Sequence, residues 1–409
     1  MEKITFCIPS KSNVRYLKTC IPSIRNNAFR DDHEIIIFVD SDEDGTIGWL
    51  EQVKDEYNLK YFINPKLGEE LYGIGRAYDY CIEKSTSDIF MIFHADMILG
   101  KNADLNAYKQ LKPKSVVCAT RIEPPLHPNG GEKILQDFGM YPEDFKGEEF
   151  NEFIINARIG KKTTEGIFAP WMMYKKEYQE ILGGHDSILH SCREDSDVFN
   201  RMLLAGFKFV QTWEGFVYHF TGRGAGSFDG DEERHNFWKQ QMNNSTKDFI
   251  RKWGQNVNHT PLMKPIVHPK YNIGIRVENC TPNMLEALEP WCDRIYVDLE
   301  DFVLYQEKEQ PNTSFDLNKR LHGAEYVNEA EDRYDYDDII VEVNGALFNQ
   351  QDYQIITQLP EILKDSGEIG SFELGNLKIT INSLDTYEHN LISCVTRFDE
   401  SNWFNFHEA

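Results

Sequence analysis

Between residues 4 and 93, short apolar runs alternate with amphipathic stretches. Ile4–Ile8 is apolar and stops at Pro9-Ser10, which predicts a strand closed by a loop. Leu17, Ile21 and Ile24 share one face of a helix over 14–24. Glu34–Val39 is almost wholly apolar, as a strand buried on both faces must be, and it ends in the acidic turn Asp40-Ser41-Asp42-Glu43-Asp44-Gly45. A helix over 47–57, a strand over 60–63, a loop over 68–75 and a helix over 76–84 follow. The strand Ile89–Phe93 then ends in His94-Ala95-Asp96. This order predicts an α/β fold with a doubly wound, mostly parallel sheet and flanking helices. In such sheets ligands gather beyond the carboxyl ends of the strands, where Pro9-Ser10, Asp40-Ser41-Asp42 and His94-Ala95-Asp96 all stand.

Further along, strands are expected over 116–120, 168–174 and 208–211, and a helix over 194–205. Residues 123–166, rich in proline, glycine and acids with aromatics between them, read as an insertion or a mobile acceptor-binding region. His219 belongs to the run Phe-Val-Tyr-His-Phe, which breaks at Thr221-Gly222-Arg223-Gly224-Ala225-Gly226. A polar, amphipathic stretch over 231–253 closes a first domain of residues 1–254, and the prolines of 255–269 read as a linker. Residues 270–409 are expected to form a small α/β domain, with strands over 271–277, 294–298, 338–343 and 376–381 and helices over 283–291, 353–363 and 384–393. Acceptor binding, homo-oligomerisation and docking to a partner are all open for it.

The net charge of −24 disfavours non-specific binding to nucleic acid and to anionic lipid, without excluding a local basic groove. Neither a signal-like leader nor a run of about 18 apolar residues is present, so a cytoplasmic protein without a membrane span is expected. The 8 cysteines lack paired spacing and read as reduced thiols, not as a zinc site.

Against this background a few polar residues stand out. Asp96 closes an apolar strand, where a carboxylate can hold a hard cation against phosphate oxygens, although a solvated turn acid is the commoner meaning of such a residue. His219 is followed by a glycine-rich loop bearing Arg223, which suits phosphate, although a histidine among aromatics is more often a hydrogen-bonded core residue. Glu194 and Asp195, with Asp197 behind them, open a helix; they can cap it or supply a base for an acceptor hydroxyl. Asp40 and Asp42 can accept from a base or ribose, or simply build the turn. Gly73-Ile74-Gly75-Arg76 lacks the third glycine of a dinucleotide fingerprint, and Arg76 suits a diphosphate better.

In this order the segments resemble the family-two glycosyltransferases over about residues 3–225. Ile8-Pro9-Ser10 through Ser23-Ile24 is similar to the family's opening strand and helix, and Val39 to Thr46 to its nucleotide-binding acidic turn. Gly73 to Ala77 is similar to its helix start, and Glu194 to Leu203 after Gly183-Gly184 to its base-bearing segment. His94-Ala95-Asp96 falls where the family has Asp-x-Asp, with histidine in place of the first aspartate. The resemblance implies a GT-A fold and an inverting transfer from a UDP-, GDP- or TDP-sugar, UDP-sugars first, to a hydroxyl-bearing acceptor, with Mn²⁺ or Mg²⁺. It implies Asp195 as catalytic base with Glu194 beside it, and Asp96, His219 and His94 at the metal. Pro9, Ser10, Asp40, Asp42, Gly75, Arg76 and Arg223 are expected around the nucleotide-sugar donor. A glycan is the expected acceptor, a hydroxylated base in DNA a less common one. A nucleotidyltransferase is the first alternative, although Pro9-Ser10-Lys11-Ser12-Asn13 lacks its glycine-rich loop. A non-catalytic sugar-nucleotide or glycan-binding module is the second.

Overall fold

Strands without polar alternation need cover on both faces, and the first half of the chain supplies it. In the computed structural model, which describes residues 1–222, 232–298, 302–323, 337–366 and 368–393, the chain divides into two units. One comprises residues 1–240 with 259–265, the other 241–258 with 266–392.

The first unit opens with β1 (Thr5–Lys11), α1 (Val14–Asn27), β2 (Glu34–Ser41), α2 (Thr46–Val53), β3 (Lys60–Ile63), α3 (Ile74–Lys84) and β4 (Ile89–Ile92). β3, β2, β1 and β4 lie side by side and parallel. Ile35 to Val39 are fully buried, as their unbroken apolar run demands. Beyond β4 come β5 (Met97–Leu99), α4 (Ala103–Tyr108), β6 (Ser115–Glu123), β7 (Lys133–Leu135), α5 (Gly147–Ala157), β8 (Thr163–Thr164), β9 (Trp171–Tyr174), α6 (Glu194–Leu204) and β10 (Lys208–His219). β9 is inserted antiparallel between β4 and β6, so the sheet is mixed; its order is β3-β2-β1-β4-β9-β6-β10-β5. This is the expected α/β architecture.

Two expectations change here. The strand expected over 208–211 runs on to His219, with a break in its register against β6 between Thr212 and Phe216. Residues 123–166 carry β7 and α5, and Phe138, Phe150 and Ile154 bury against Phe216, Tyr218 and Phe220 in a core of their own. The segment read as an insertion or a mobile acceptor-binding region thus packs its aromatics into a core, and Arg15 ties it to α1 through Glu143 at 2.6 Å.

α7 (Glu232–Trp253) begins in the first unit, and its residues from Gln241 belong to the second. The second unit adds β11 (Ile273–Glu278), α8 (Pro282–Leu288), β12 (Arg294–Val297), α9 (Phe302–Glu309), β13 (Leu321–Gly323), β14 (Ile339–Asn344), α10 (Gln350–Ser366), β15 (Gly370–Leu374) and β16 (Leu377–Ile381). Its sheet runs β13-β12-β11-β14-β16-β15, parallel through β14 and antiparallel after it. Ile273, Ile275, Val277, Ile295 and Val341 pack with Leu285, Ile356, Leu359 and Leu363. The helix expected over 384–393 is a short 3-10 turn, Glu388–Leu391, whose residues are not buried. Among the described residues no helix is long and apolar enough to cross a membrane, and the seven described cysteines are free thiols.

Candidate active site

The parallel strands deliver their last residues to one edge of the first sheet, and the loops there are stitched together. The Ser12 amide donates to the Ser41 carbonyl at 2.9 Å, and the Ser12 hydroxyl accepts from the Glu43 amide at 2.9 Å. Asp44 accepts from the Val14 amide at 2.7 Å and Asp42 from the Ile47 amide at 3.2 Å, so both acids cap helix starts. The buried Asp40 carboxylate accepts from the amides of Tyr72 at 2.6 Å and Gly73 at 3.1 Å and from the Asn64 side chain at 2.9 Å. It thereby hangs the start of α3 from the end of β2. Burial pushes its pKa up, against these hydrogen bonds and the nearby Lys11 charge.

The start of α3 is crowded. Gly73 has φ +94°, and a Cβ there would lie 2.5 Å from the His190 carbonyl oxygen. A Cβ on Gly75 would meet His185 at 3.0 Å and Glu194 at 3.4 Å. Glycine at these positions lets the segment 185–194 lie directly on α3. Arg76 reaches the same segment, donating to the Ser187 carbonyl at 3.2 Å and lying 2.8 Å from His190 Nε2. Burial, then the Arg76 charge, brings His190 down to about 4. On the far side, Asp79 accepts from the His185 amide at 2.8 Å, its ring Nδ1 at 2.8 Å and the Tyr178 hydroxyl at 2.6 Å, which fixes the Gly183-Gly184 turn to α3.

α6 opens with three acids that meet three fates. Asp197 is fully buried and pairs with Arg201 at 2.8 Å, and Arg201 also donates to the carbonyls of Leu182 and Gly184. This pair anchors the helix; losing one partner of such a buried pair costs about 3–5 kcal/mol. Asp195 stays partly exposed, and its carboxylate accepts from the Ser196 amide at 2.6 Å. Glu194 has an Oε2 buried without a hydrogen-bond partner among the described residues. Burial, and next the Asp195 charge, pushes the Glu194 pKa well up from the ordinary carboxylate range.

The register of three strands builds the remaining cluster. Tyr218 of β10 pairs with Ile122 of β6 on one side and Ile98 of β5 on the other. The next residue, His219, therefore falls between Glu123 and the Asp96–Met97 turn. Its Nδ1 lies 3.1 Å from Glu123 Oε1 and its Nε2 3.4 Å from Asp96 Oδ1. The His94 ring meets the His219 ring edge-on at 5.3 Å. One ligand atom from each of His94, Asp96 and His219 lies within 4.8 Å of the others, so the three residues expected at a metal come together.

The charges in this cluster are strongly coupled. Burial works against charging His219, but Asp96 and Glu123 outweigh it and raise the imidazole to about 9. Burial likewise opposes ionising Asp96 and Glu123, yet His219 holds both below their ordinary values, helped at Glu123 by Arg121 and Lys133. His94 is pushed down to about 4, by burial and then by the His219 charge. The cluster thus seats one positive charge, on His219, between two carboxylates with the neutral His94 imidazole alongside; a divalent cation that displaced the Nε2 proton of His219 would meet a suitable donor set.

Tyr78 of α3 is buried. Its buried hydroxyl has no hydrogen-bond partner among the described residues. Its pKa is raised well above the ordinary value, by burial first and then by the charges of Glu194 and Asp96. Of the residues expected at the donor, Ser10 is buried with no hydrogen-bond partner for its hydroxyl among the described residues, Pro9 precedes it on β1, and Arg223 lies outside the described residues. Glu123, Arg121, Tyr78 and His190 were not marked by any motif. Lys11, whose charge acts on both Asp40 and Cys192, is a further cation at this edge.

The model of a family described as glycosyl transferase family 2 matches residues 5–182, so the resemblance holds over that stretch; Glu194, Asp195 and His219 lie beyond it. No curated protein matches the chain. Among solved structures, S. aureus TarS aligns at 12% identity with TM-score 0.40, covering 60% of this chain and 44% of its own. S. aureus TarS 1-349 aligns at 12% identity with TM-score 0.38, covering 62% and 74%. GalNAc-T7, crystallised with UDP, GalNAc and Mn²⁺, aligns at 12% identity with TM-score 0.40, covering 54% and 44%. The chain thus spans less than half the length of the full TarS and GalNAc-T7 structures.

Proposed function

We propose that the first unit is a Mn²⁺-dependent glycosyltransferase that moves a sugar, with inversion, from a nucleoside-diphosphate sugar to an acceptor hydroxyl. The observation that carries this reading is the meeting of His94 and Asp96, which lie within the family match, with His219, which lies beyond it. Two imidazoles with one carboxylate suit Mn²⁺ better than Mg²⁺, which prefers oxygen ligands. Held by these residues, the ion would offset the charge growing on the departing diphosphate.

The chain's own groups do the rest. Asp195 takes the proton of the acceptor hydroxyl as its oxygen bonds to the anomeric carbon and the bond from that carbon to the diphosphate breaks. Glu194, its pKa raised by burial, donates a hydrogen bond to a substrate oxygen in its protonated form. Arg76 and the edge around Ser10, Asp40 and Asp42 face the donor, for which UDP-sugars are the first choice. A carbohydrate hydroxyl is the proposed acceptor; the net charge of −24 counts against DNA. Residues 270–409 are proposed to bind acceptor or a second copy.

Asp195→Asn is expected to lower turnover by about 100- to 10,000-fold while donor binding is retained. Normal turnover in that variant would remove Asp195 from the role. Release of pyrophosphate in place of nucleoside diphosphate would point to nucleotidyl transfer.

A further inference from the structure

We infer that Glu123 is a positioning residue of the metal site, holding the His219 ring so that Nε2 faces Asp96 and His94. The inference rests on the metal-dependent reading above and adds to it a residue that no motif marks.

Glu123 ends β6, one position past the Ile122–Tyr218 pair, so strand register alone brings it beside His219. It is 1% exposed, and its Oε1 lies 3.1 Å from His219 Nδ1. The carboxylate is itself fixed. Arg121 Nη1 donates to Oε1 at 2.7 Å and Lys133 Nζ to Oε2 at 3.1 Å. Arg121 in turn lies over the Phe168 ring, its Cζ 3.8 Å from the ring centre, and 3.5 Å from Glu132.

An ionised carboxylate can only accept, so Nδ1 of His219 must carry the hydrogen that faces it. A neutral ring fixed in that tautomer has its lone pair on Nε2, the nitrogen beside Asp96. Carboxylates placed behind metal-binding histidines set ring orientation and basicity in this way, and losing one weakens binding by about 10- to 100-fold. A purely structural role, balancing Arg121 and Lys133, predicts no such loss.

The test is a Mn²⁺ titration of the full chain, followed by electron paramagnetic resonance, for wild type and Glu123→Gln. The expected result is an affinity about 10- to 100-fold weaker in the variant with its circular dichroism spectrum retained. Equal affinities would overturn the role of Glu123 and leave the metal site standing. A wild-type protein that does not bind Mn²⁺ would overturn the metal-dependent reading itself. Should Glu123→Gln fail to fold, ¹⁵N-histidine NMR of wild type with Zn²⁺ as a diamagnetic probe decides the matter. Nδ1 protonated and Nε2 ligated is expected for His219; the reverse would refute the inference.

Discussion

The two units each bury a network of charges, and the networks are built differently. In the second unit Arg251 donates to Glu289 at 2.6 Å, Asp248 at 2.8 Å and Glu309 at 2.8 Å. Glu289 also accepts from Arg320 at 2.6 Å and from the Tyr305 hydroxyl at 3.0 Å. Both oxygens of Glu289 are thus taken by groups of its own chain, and the network closes on itself. In the first unit Glu123 is met by Arg121, Lys133 and His219, yet at the other end Asp96 and His219 touch only at 3.4 Å, with His94 close by. A buried network that satisfies itself is scaffold. One that ends on a carboxylate, a neutral imidazole and an imidazolium is a seat that a divalent cation can take in exchange for the imidazolium's proton.

This contrast can be broken experimentally. The largest effect is expected from Arg251→Met, which removes the guanidinium that Asp248, Glu289 and Glu309 share and leaves Glu289 to Arg320 and Tyr305 and Glu309 to Lys247. Urea denaturation should show a loss of about 3–5 kcal/mol, with Mn²⁺ affinity unchanged; a loss below 1 kcal/mol would mean that the second network is not holding its unit together. Next, Mn²⁺ at about 100 times its dissociation constant should stabilise the wild type by about 2.7 kcal/mol. Asp96→Asn should lose that gain, and a variant that kept it would place the ion elsewhere. The smallest effect is one of pH. Burial opposes the charge of Glu289, but Arg320 and Arg251 outweigh it and hold the carboxyl down to about 2. A depressed carboxylate adds stability that is complete above its unfolded value and is lost as pH falls through its folded one. The urea midpoint of the second unit should therefore drop as pH falls from about 4.5 towards 2, and this slope should flatten in Glu289→Gln.

What could be read from sequence follows the reach of each interaction. Asp96 and His219 were legible because each closes an apolar strand, a local signal. Glu123 was not, because its role depends on how β6 pairs with β10, 96 residues apart in sequence from Glu123 to His219. Asp197 looked like its neighbours Glu194 and Asp195; only the fold assigns it to Arg201. The aromatics of 123–166 suggested a binding face because nothing local says that Phe138 and Phe150 meet Tyr218. In the second unit the buried strands β11, β12 and β14 were legible from their apolar runs, whereas β15 was missed, being an edge strand with no buried residue. α9 was missed for a related reason: Val303 and Leu304 are exposed, and the residues it buries are Tyr305 and Glu309.

The most direct test of a cation seat at a sugar-transfer site is nucleoside diphosphate release from UDP-, GDP- and TDP-sugars, with Mn²⁺ and with EDTA, in wild type and Asp96→Asn. One donor cleaved by the wild type only when Mn²⁺ is present, and not by Asp96→Asn, is the result predicted. Release that survives EDTA, or that Asp96→Asn matches, would contradict it.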